Sequence, residues 1–202
     1  MGHLASRRGP PPGFIVPCQP ELRKQPPHGS GWIHEIKYGG HRLIAYESPS
    51  GPCLWTRSAI ECTGRFNRIS RGLAGLQAVS LTLDGEAVVL RDNGQADSYR
   101  LRSREGAAEA VMVAFDILTL NGEDLRSRPI EDRRTLLGEL LAAASDDIVL
   151  AEAFAREGAV VLEHVCALGL QGTVSKRLGS PYTSGPSGDW IEARCRAARA
   201  PF

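Results

Sequence analysis

Lys24, Lys37 and Lys176 are the only lysines in the chain, and arginine supplies its other fixed positive charge. Arginine stays protonated and cannot serve as an amine nucleophile, whereas lysine loses its proton when buried or set near another cation. Lys37 lies in Glu35-Ile36-Lys37-Tyr38-Gly39-Gly40-His41-Arg42, between Trp32-Ile33-His34 and Leu43-Ile44-Ala45-Tyr46. Apolar residues on both sides of a Gly-Gly pair predict two strands joined by a tight connection. Alternation along a strand puts Glu35 and Lys37 on one face, with His34, Ile36 and Tyr38 on the other. An amine then stands beside a carboxylate at a strand end, where glycines let another group approach the backbone. Such an amine suits covalent catalysis, and Arg42 on the return strand reaches the same space. The same residues equally suit an ordinary surface hairpin with an exposed Glu/Lys pair.

Other segments offer chemistry of their own. Asp84 and Glu86 flank Gly85 on an expected strand, so both carboxylates face one way. They could hold a divalent cation or ribose hydroxyls, or sit in water as an acid pair near a turn. Phe115 falls inside an apolar run, where a core role is the default and stacking on a base the alternative. Lys176-Arg177 closes a strand and could meet phosphate oxygens or simply be solvated. Trp190 anchors the last strand, with Glu192 and Arg194 on one of its faces.

These residues need elements to carry them. Residues 1–31 hold most of the proline and read as an arm, irregular in part, that Phe14-Ile15-Val16 anchors. Strands are expected at 53–57, 81–90, 111–118, 172–176 and 190–194. Helices are expected at 65–79, at 130–144 behind Pro129, and at 158–168 with Gly169 as the C-terminal cap. The stripe on the middle helix includes Arg133 among Ile130, Leu136, Leu137, Leu140 and Leu141. The arginine-rich stretch from Ser98 to Glu105 has no clear period. Strands and helices alternate without a βαβ rhythm, which favours an α+β domain on antiparallel sheets. The domain is expected over 32–196, with 197–202 as a short basic tail. No internal repeat, Walker-type loop or Gly-x-Gly-x-x-Gly fingerprint occurs.

A formal net charge of +1 advertises no polyanion or membrane partner, so such binding would need a local cluster such as Arg194, Arg196 and Arg199. Five cysteines lack Cys-x-x-Cys or zinc spacing and are expected as reduced thiols of a cytoplasmic protein. The first residues are polar and proline-rich, unlike a signal peptide, and no apolar run is long enough to cross a bilayer.

The order of these segments resembles the motif series of ATP-dependent DNA ligases. Glu35 to Arg42 looks like the nucleotidyltransferase motif, and Thr56-Arg57 resembles the next one. Leu83-Asp84-Gly85-Glu86-Ala87-Val88-Val89 and Ala114-Phe115-Asp116-Ile117-Leu118 are similar to the third pair of segments. Leu170 to Ser180 and Asp189-Trp190-Ile191 continue the series. The likeness runs from about Pro12 to Arg194. It is greatest to the ligase domain of bacterial end-joining ligases, whose arm Phe14-Ile15-Val16-Pro17-Cys18 also resembles.

That resemblance implies an adenylation domain of the covalent nucleotidyltransferases: two antiparallel sheets flanked by helices, with the nucleotide cleft between them. It implies that Lys37 takes AMP from ATP as a lysyl-AMP and passes it to the 5′-phosphate of nicked DNA for strand joining in repair. Glu35 and the Ile36 backbone would contact adenine and Phe115 would stack on it. Arg42 and Glu86 would hold the ribose side, with Arg57 nearby on nucleotide or DNA. Lys176 and Arg194 would meet the α-phosphate, and Glu86 and Gln171 would hold Mg2+ or Mn2+. Implied partners are nicked or broken duplex DNA, with other end-joining proteins or a separate oligonucleotide-binding barrel, at the bacterial nucleoid. RNA ligases and capping guanylyltransferases share the lysine chemistry but match less closely. The chain departs from the family where Gly39 replaces Asp, Gln171 replaces Glu, Glu192 and Arg194 replace two lysines, and Ala59 replaces Gly. No barrel is expected after the last strand. These departures raise a second reading, a non-catalytic relative that keeps nucleotide or DNA binding.

Overall fold

The computed structural model describes residues 13–195. The start of the arm and the basic tail, with Arg196 and Arg199, lie outside them. Two mixed sheets carry the fold, and most of their strand pairs are antiparallel. The five-stranded sheet runs β1(Cys18–Arg23), β11(Gly185–Arg194), β10(Gly172–Arg177), β2(Trp32–Ile36), β9(Ala153–Phe154). The six-stranded sheet runs β4(Cys53–Thr56), β3(His41–Glu47), β5(Leu81–Val88), β6(Val111–Leu120), β7(Glu123–Asp124), with β8(Ile148–Leu150) also on β6. Two pairs are parallel, β1 with β11 and β6 with β8. β1 lies in the proline-rich arm, and its pairing with β11 makes that part of the arm an edge strand, where proline is tolerated.

The helices are α1(Asn67–Ala74), α2(Arg104–Glu109), α3(Ile130–Leu141) and α4(Gly158–Ala167). Three match expectation with shorter ends. α2 begins at the end of the stretch that showed no period, where Ser103 caps it by accepting the Gly106 amide at 2.9 Å. Gly169, at φ 70°, follows α4 as expected, and the Leu170 amide reaches back to the Val165 carbonyl at 3.1 Å.

The expected hairpin at Gly39-Gly40 does not form. β2 and β3 belong to different sheets, and the glycine pair carries the chain from one to the other. The Lys37 amide bonds the Gly172 carbonyl on the β10 side at 2.8 Å, while β3 pairs with β4 and β5. A side chain at Gly40 would start 2.1 Å from the Ala87 carbonyl oxygen, so only glycine lets the crossing pass this close to β5.

The main core fills the space between the six-stranded sheet and its helices, from Leu43, Leu54 and Leu83 to Ile69, Leu73 and Leu137. A second cluster joins the two sheets, with Cys18 and Trp190 from one, Ile44 and Leu118 from the other, and Tyr182 between. Burying each of the aliphatic side chains there contributes about 1.5–3 kcal/mol, which locks the sheets together beside the cleft.

Two local features differ from expectation or explain a departure. Cys166 and Cys195 are joined by a disulfide, so not every thiol is reduced. Spacing hid this pair, since α4 and the end of β11 come together only in the fold. Ala59, where the resemblance leads to an expected glycine, sits at φ 55° in the turn after β4. The left-handed region costs an L-residue about 1–2 kcal/mol, of which glycine's freedom in the unfolded chain offsets about 0.5–1. Ala59→Gly is therefore expected to raise stability by about 0.5–1 kcal/mol, read as a higher denaturation midpoint. An unchanged or lower midpoint would contradict it.

Candidate active site

The crossing from β2 to β3 forms one wall of a cleft of about 560 Å³. Lys37, half-buried, lines it together with Glu35, Ile36, Arg42, Arg57, Glu86, Phe115, Lys176 and Arg194. All the expected nucleotide contacts therefore come together, drawn from both sheets.

Arg42 enters from β3 and forms a two-pronged ion pair with Asp84 on β5, at 2.5 and 2.7 Å. Burial pulls the guanidinium toward its neutral form, but the Asp84 carboxylate outweighs this and holds it firmly charged. Its carbon stands 4.4 Å from the centre of the Phe115 ring. Glu86, opposite Arg42 in the β3–β5 register, accepts the Gly40 amide at 3.0 Å. Burial lifts the Glu86 carboxyl to about 6, with Arg42, the Gly40 amide and Lys37 pulling the other way. It is thus ionised at neutral pH. Asp84 and Glu86 both act around Arg42, but Asp84 is fully buried and taken up by Arg42 and Tyr182. Only Glu86 of the two lines the cleft.

Phe115 owes its position to a bulge. β5 and β6 shift register between Asp84 and Gly85, whose partners are Asp116 and Ala114, so Phe115 is skipped. A bulged residue is re-aimed and its backbone left unpaired. The Phe115 ring lines the cleft, set edge-to-face on Trp190 at 6.0 Å, and its free carbonyl accepts the Lys176 amine at 2.8 Å. A side chain at Gly85 would start 2.5 Å from the Met112 methyl and 2.7 Å from the Val113 carbonyl, which explains the glycine between the two acids.

Lys176 is fully buried, 2.9 Å from a Glu35 oxygen and 4.1 Å from the Trp190 ring centre. Burial pushes the Lys176 amine down and the Glu35 carboxyl up, and their mutual attraction opposes both changes. Arg134 of α3 holds the other Glu35 oxygen. At the rim, Arg57 is exposed, and Arg194 is paired with Glu192. Glu192 lines the cleft as well, so this negative charge stands at the rim beside Arg194.

Gly39 and Gln171, departures that look separate in sequence, lie against each other. A side chain at 39 would start 1.9 Å from the Gln171 amide nitrogen. Gln171 covers the crossing and is not among the residues lining the cleft. Among the described residues no three His, Cys, Asp or Glu side chains cluster as a metal site. Glu86 can still serve magnesium, which commonly takes one or two protein carboxylates and completes its shell with water and phosphate oxygens.

Sequence reading missed Tyr182. It falls in the Gly/Ser-rich loop before β11, where an isolated aromatic was the available signal. Its hydroxyl donates to Asp84 and accepts the Cys18 amide at 2.9 Å, tying β1 to the Asp84–Arg42 pair. Burial and the Asp84 charge push the phenol well above its ordinary value, so it stays a donor. Tyr182→Phe strands both groups, at a cost of about 1–3 kcal/mol. Urea unfolding checks this, and an unchanged midpoint would contradict it.

The family model for the ATP-dependent DNA ligase domain matches residues 20–193. The chain is 37% identical over 191 residues to the multifunctional non-homologous end joining protein LigD of Pseudomonas aeruginosa, covering 93% of this chain and 23% of that protein. It is 33% identical over 143 residues to the bifunctional non-homologous end joining protein LigD of Bacillus subtilis, covering 62% of this chain and 23% of that one. The chain thus spans about a quarter of the length of these curated relatives. A structure of mycobacterial DNA ligase D complexed with ATP and MES superposes with a TM-score of 0.77 at 26% identity, covering 89% of this chain and 60% of that one.

Proposed function

Since the chain belongs to the ATP-dependent DNA ligase domain family and is an adenylation domain of the LigD type, we propose that it forms a lysyl-AMP at Lys37 and donates the AMP to DNA. The observation that carries this reading is the place of Lys37 at the crossing between the sheets, facing a cleft lined from both. The Lys37 nitrogen attacks the α-phosphorus of ATP. A nitrogen–phosphorus bond forms, the bond from that phosphorus to the pyrophosphate oxygen breaks, and pyrophosphate leaves. AMP then passes to the 5′-phosphate at a nick, and the 3′-hydroxyl displaces it to seal the strand.

Each residue has a part in this. Phe115 offers its ring to adenine, and Glu35 and the Ile36 backbone contact the base. Arg42 and Glu86 meet the ribose side, and Arg57 at the rim meets nucleotide or DNA. Lys176 and Arg194 supply positive charge where charge develops on the α-phosphate. Magnesium, bound through Glu86 with water and phosphate oxygens completing its shell, would neutralise phosphate charge, while Gln171, expected from the resemblance as a second donor, lies outside the cleft lining. Nicked or broken duplex DNA in the bacterial cytoplasm is the substrate, alongside other end-joining proteins or a barrel domain.

The test is incubation with α-labelled ATP and magnesium, followed by denaturing electrophoresis. A labelled chain that then transfers AMP to nicked DNA supports the reading. No label would overturn it in favour of the non-catalytic relative.

A further inference from the structure

Glu35 raises a problem that the proposed chemistry does not answer. Its carboxylate is buried, and its partner on β10 is Lys176, the buried amine assigned above to the phosphate. A cation that leaves a buried carboxylate strands an unpaired charge, so a lone Glu35–Lys176 pair would resist nucleotide.

A third charge lies alongside. Arg134, on the exposed-looking side of α3's sequence pattern, pairs with one Glu35 oxygen while Lys176 holds the other. Its second guanidinium nitrogen donates to the Ala151 carbonyl, in the segment between β8 and β9, at 2.8 Å. Its side chain is 13% exposed, and it lies outside the residues that line the cleft. A guanidinium keeps its proton and its planar fork, so it remains a counter-charge whatever Lys176 does.

We propose that Arg134 is a positioning residue for the cleft: it holds the Glu35 carboxylate as a fixed anion, which frees the Lys176 amine to shift its contact to an incoming phosphate. This rests on the reading of Lys176 as a phosphate contact. The other charges around Glu35 do not substitute for Arg134. Asp116 of β6 has like charge and is itself paired with Arg133. Lys37, two residues along the strand, is the nucleophile. Glu152 before β9 adds negative charge near Tyr38, and His34 beside Glu35 bonds Ser175 instead.

The sign of the pH effect follows. Burial already raises the Glu35 carboxyl, and Arg134 is among the groups that lower it. Removing Arg134 raises it further, so the carboxylate is lost at a higher pH as the solution is acidified.

Two readouts test this in the full chain, with wild type, Arg134→Gln, Arg134→Lys and Glu35→Gln. The first is carbon-13 titration of the Glu35 carboxyl by NMR, without nucleotide. Arg134→Gln should raise the midpoint by about one pH unit, and Arg134→Lys should restore most of the shift. The second is the pH profile of single-turnover labelling with α-labelled ATP. Arg134→Gln should move its acid limb upward by about the same amount, and adding Arg134→Gln to Glu35→Gln should move nothing more. An unmoved Glu35 midpoint overturns the proposal whether or not the chain is labelled. Failure of wild type to label, with the midpoint shifted, overturns the enzymatic reading and leaves the Arg134–Glu35 linkage standing. If Arg134→Gln does not fold, a Glu35 midpoint in Arg134→Lys far from that of wild type would overturn the proposal.

Discussion

Lys37→Ala is expected to abolish labelling of the chain by α-labelled ATP, a loss on the order of 10⁴-fold or more, because it removes the bond-forming atom itself. Lys37→Arg should be as inactive, since arginine keeps the charge but cannot give up the proton. Both variants should remain folded. The Lys37 side chain is half-buried and makes no ion pair among the described residues, and its backbone hydrogen bond to Gly172 survives substitution. Stability should therefore change by no more than about 0.5 kcal/mol. Equal labelling of wild type and Lys37→Ala would mean that the covalent chemistry lies elsewhere or is absent.

The largest effect on stability is expected at Arg133, which sequence periodicity placed on the apolar stripe of α3. It is wholly buried, and so is Asp116, its partner at 2.7 and 2.9 Å. The guanidinium also donates to the carbonyls of Arg128 and Ser180, the latter at 3.1 Å. It thus binds α3 to β6 and to the loop that carries Tyr182. Arg133→Ala leaves a buried carboxylate without a cation and should cost about 3–5 kcal/mol in denaturant unfolding. Replacing both partners with apolar groups, as Arg133→Met with Asp116→Leu, should recover much of that loss. A cost below about 1 kcal/mol for Arg133→Ala would show that water reaches Asp116 and takes over the pairing.

What could be read from the chain and what could not divide along the range of the forces involved. α3 and α4 were legible because a period of apolar residues, Pro129 and Gly169 act within a few turns of chain. α2 was not, because Ser103 begins a helix too short to show a period. The disulfide between Cys166 and Cys195, and the contact of Gly39 with Gln171, join positions that no local spacing relates.

Lys37 shows the same division most sharply. The sequence alone singled it out, through the rarity of lysine, its flanking Glu35 and Arg42, and the order of the motifs that follow. Gly39-Gly40 looked like a hairpin turn, because glycine permits a tight turn and a close crossing alike. Tertiary structure decided between them, through the pairing of β2 with β10 and of β3 with β5. Those pairings put Lys37 between two sheets, let a bulge turn Phe115 into the cleft, and set Arg134 behind Glu35. Residue types determined which groups could react, and long-range pairing determined which of them meet.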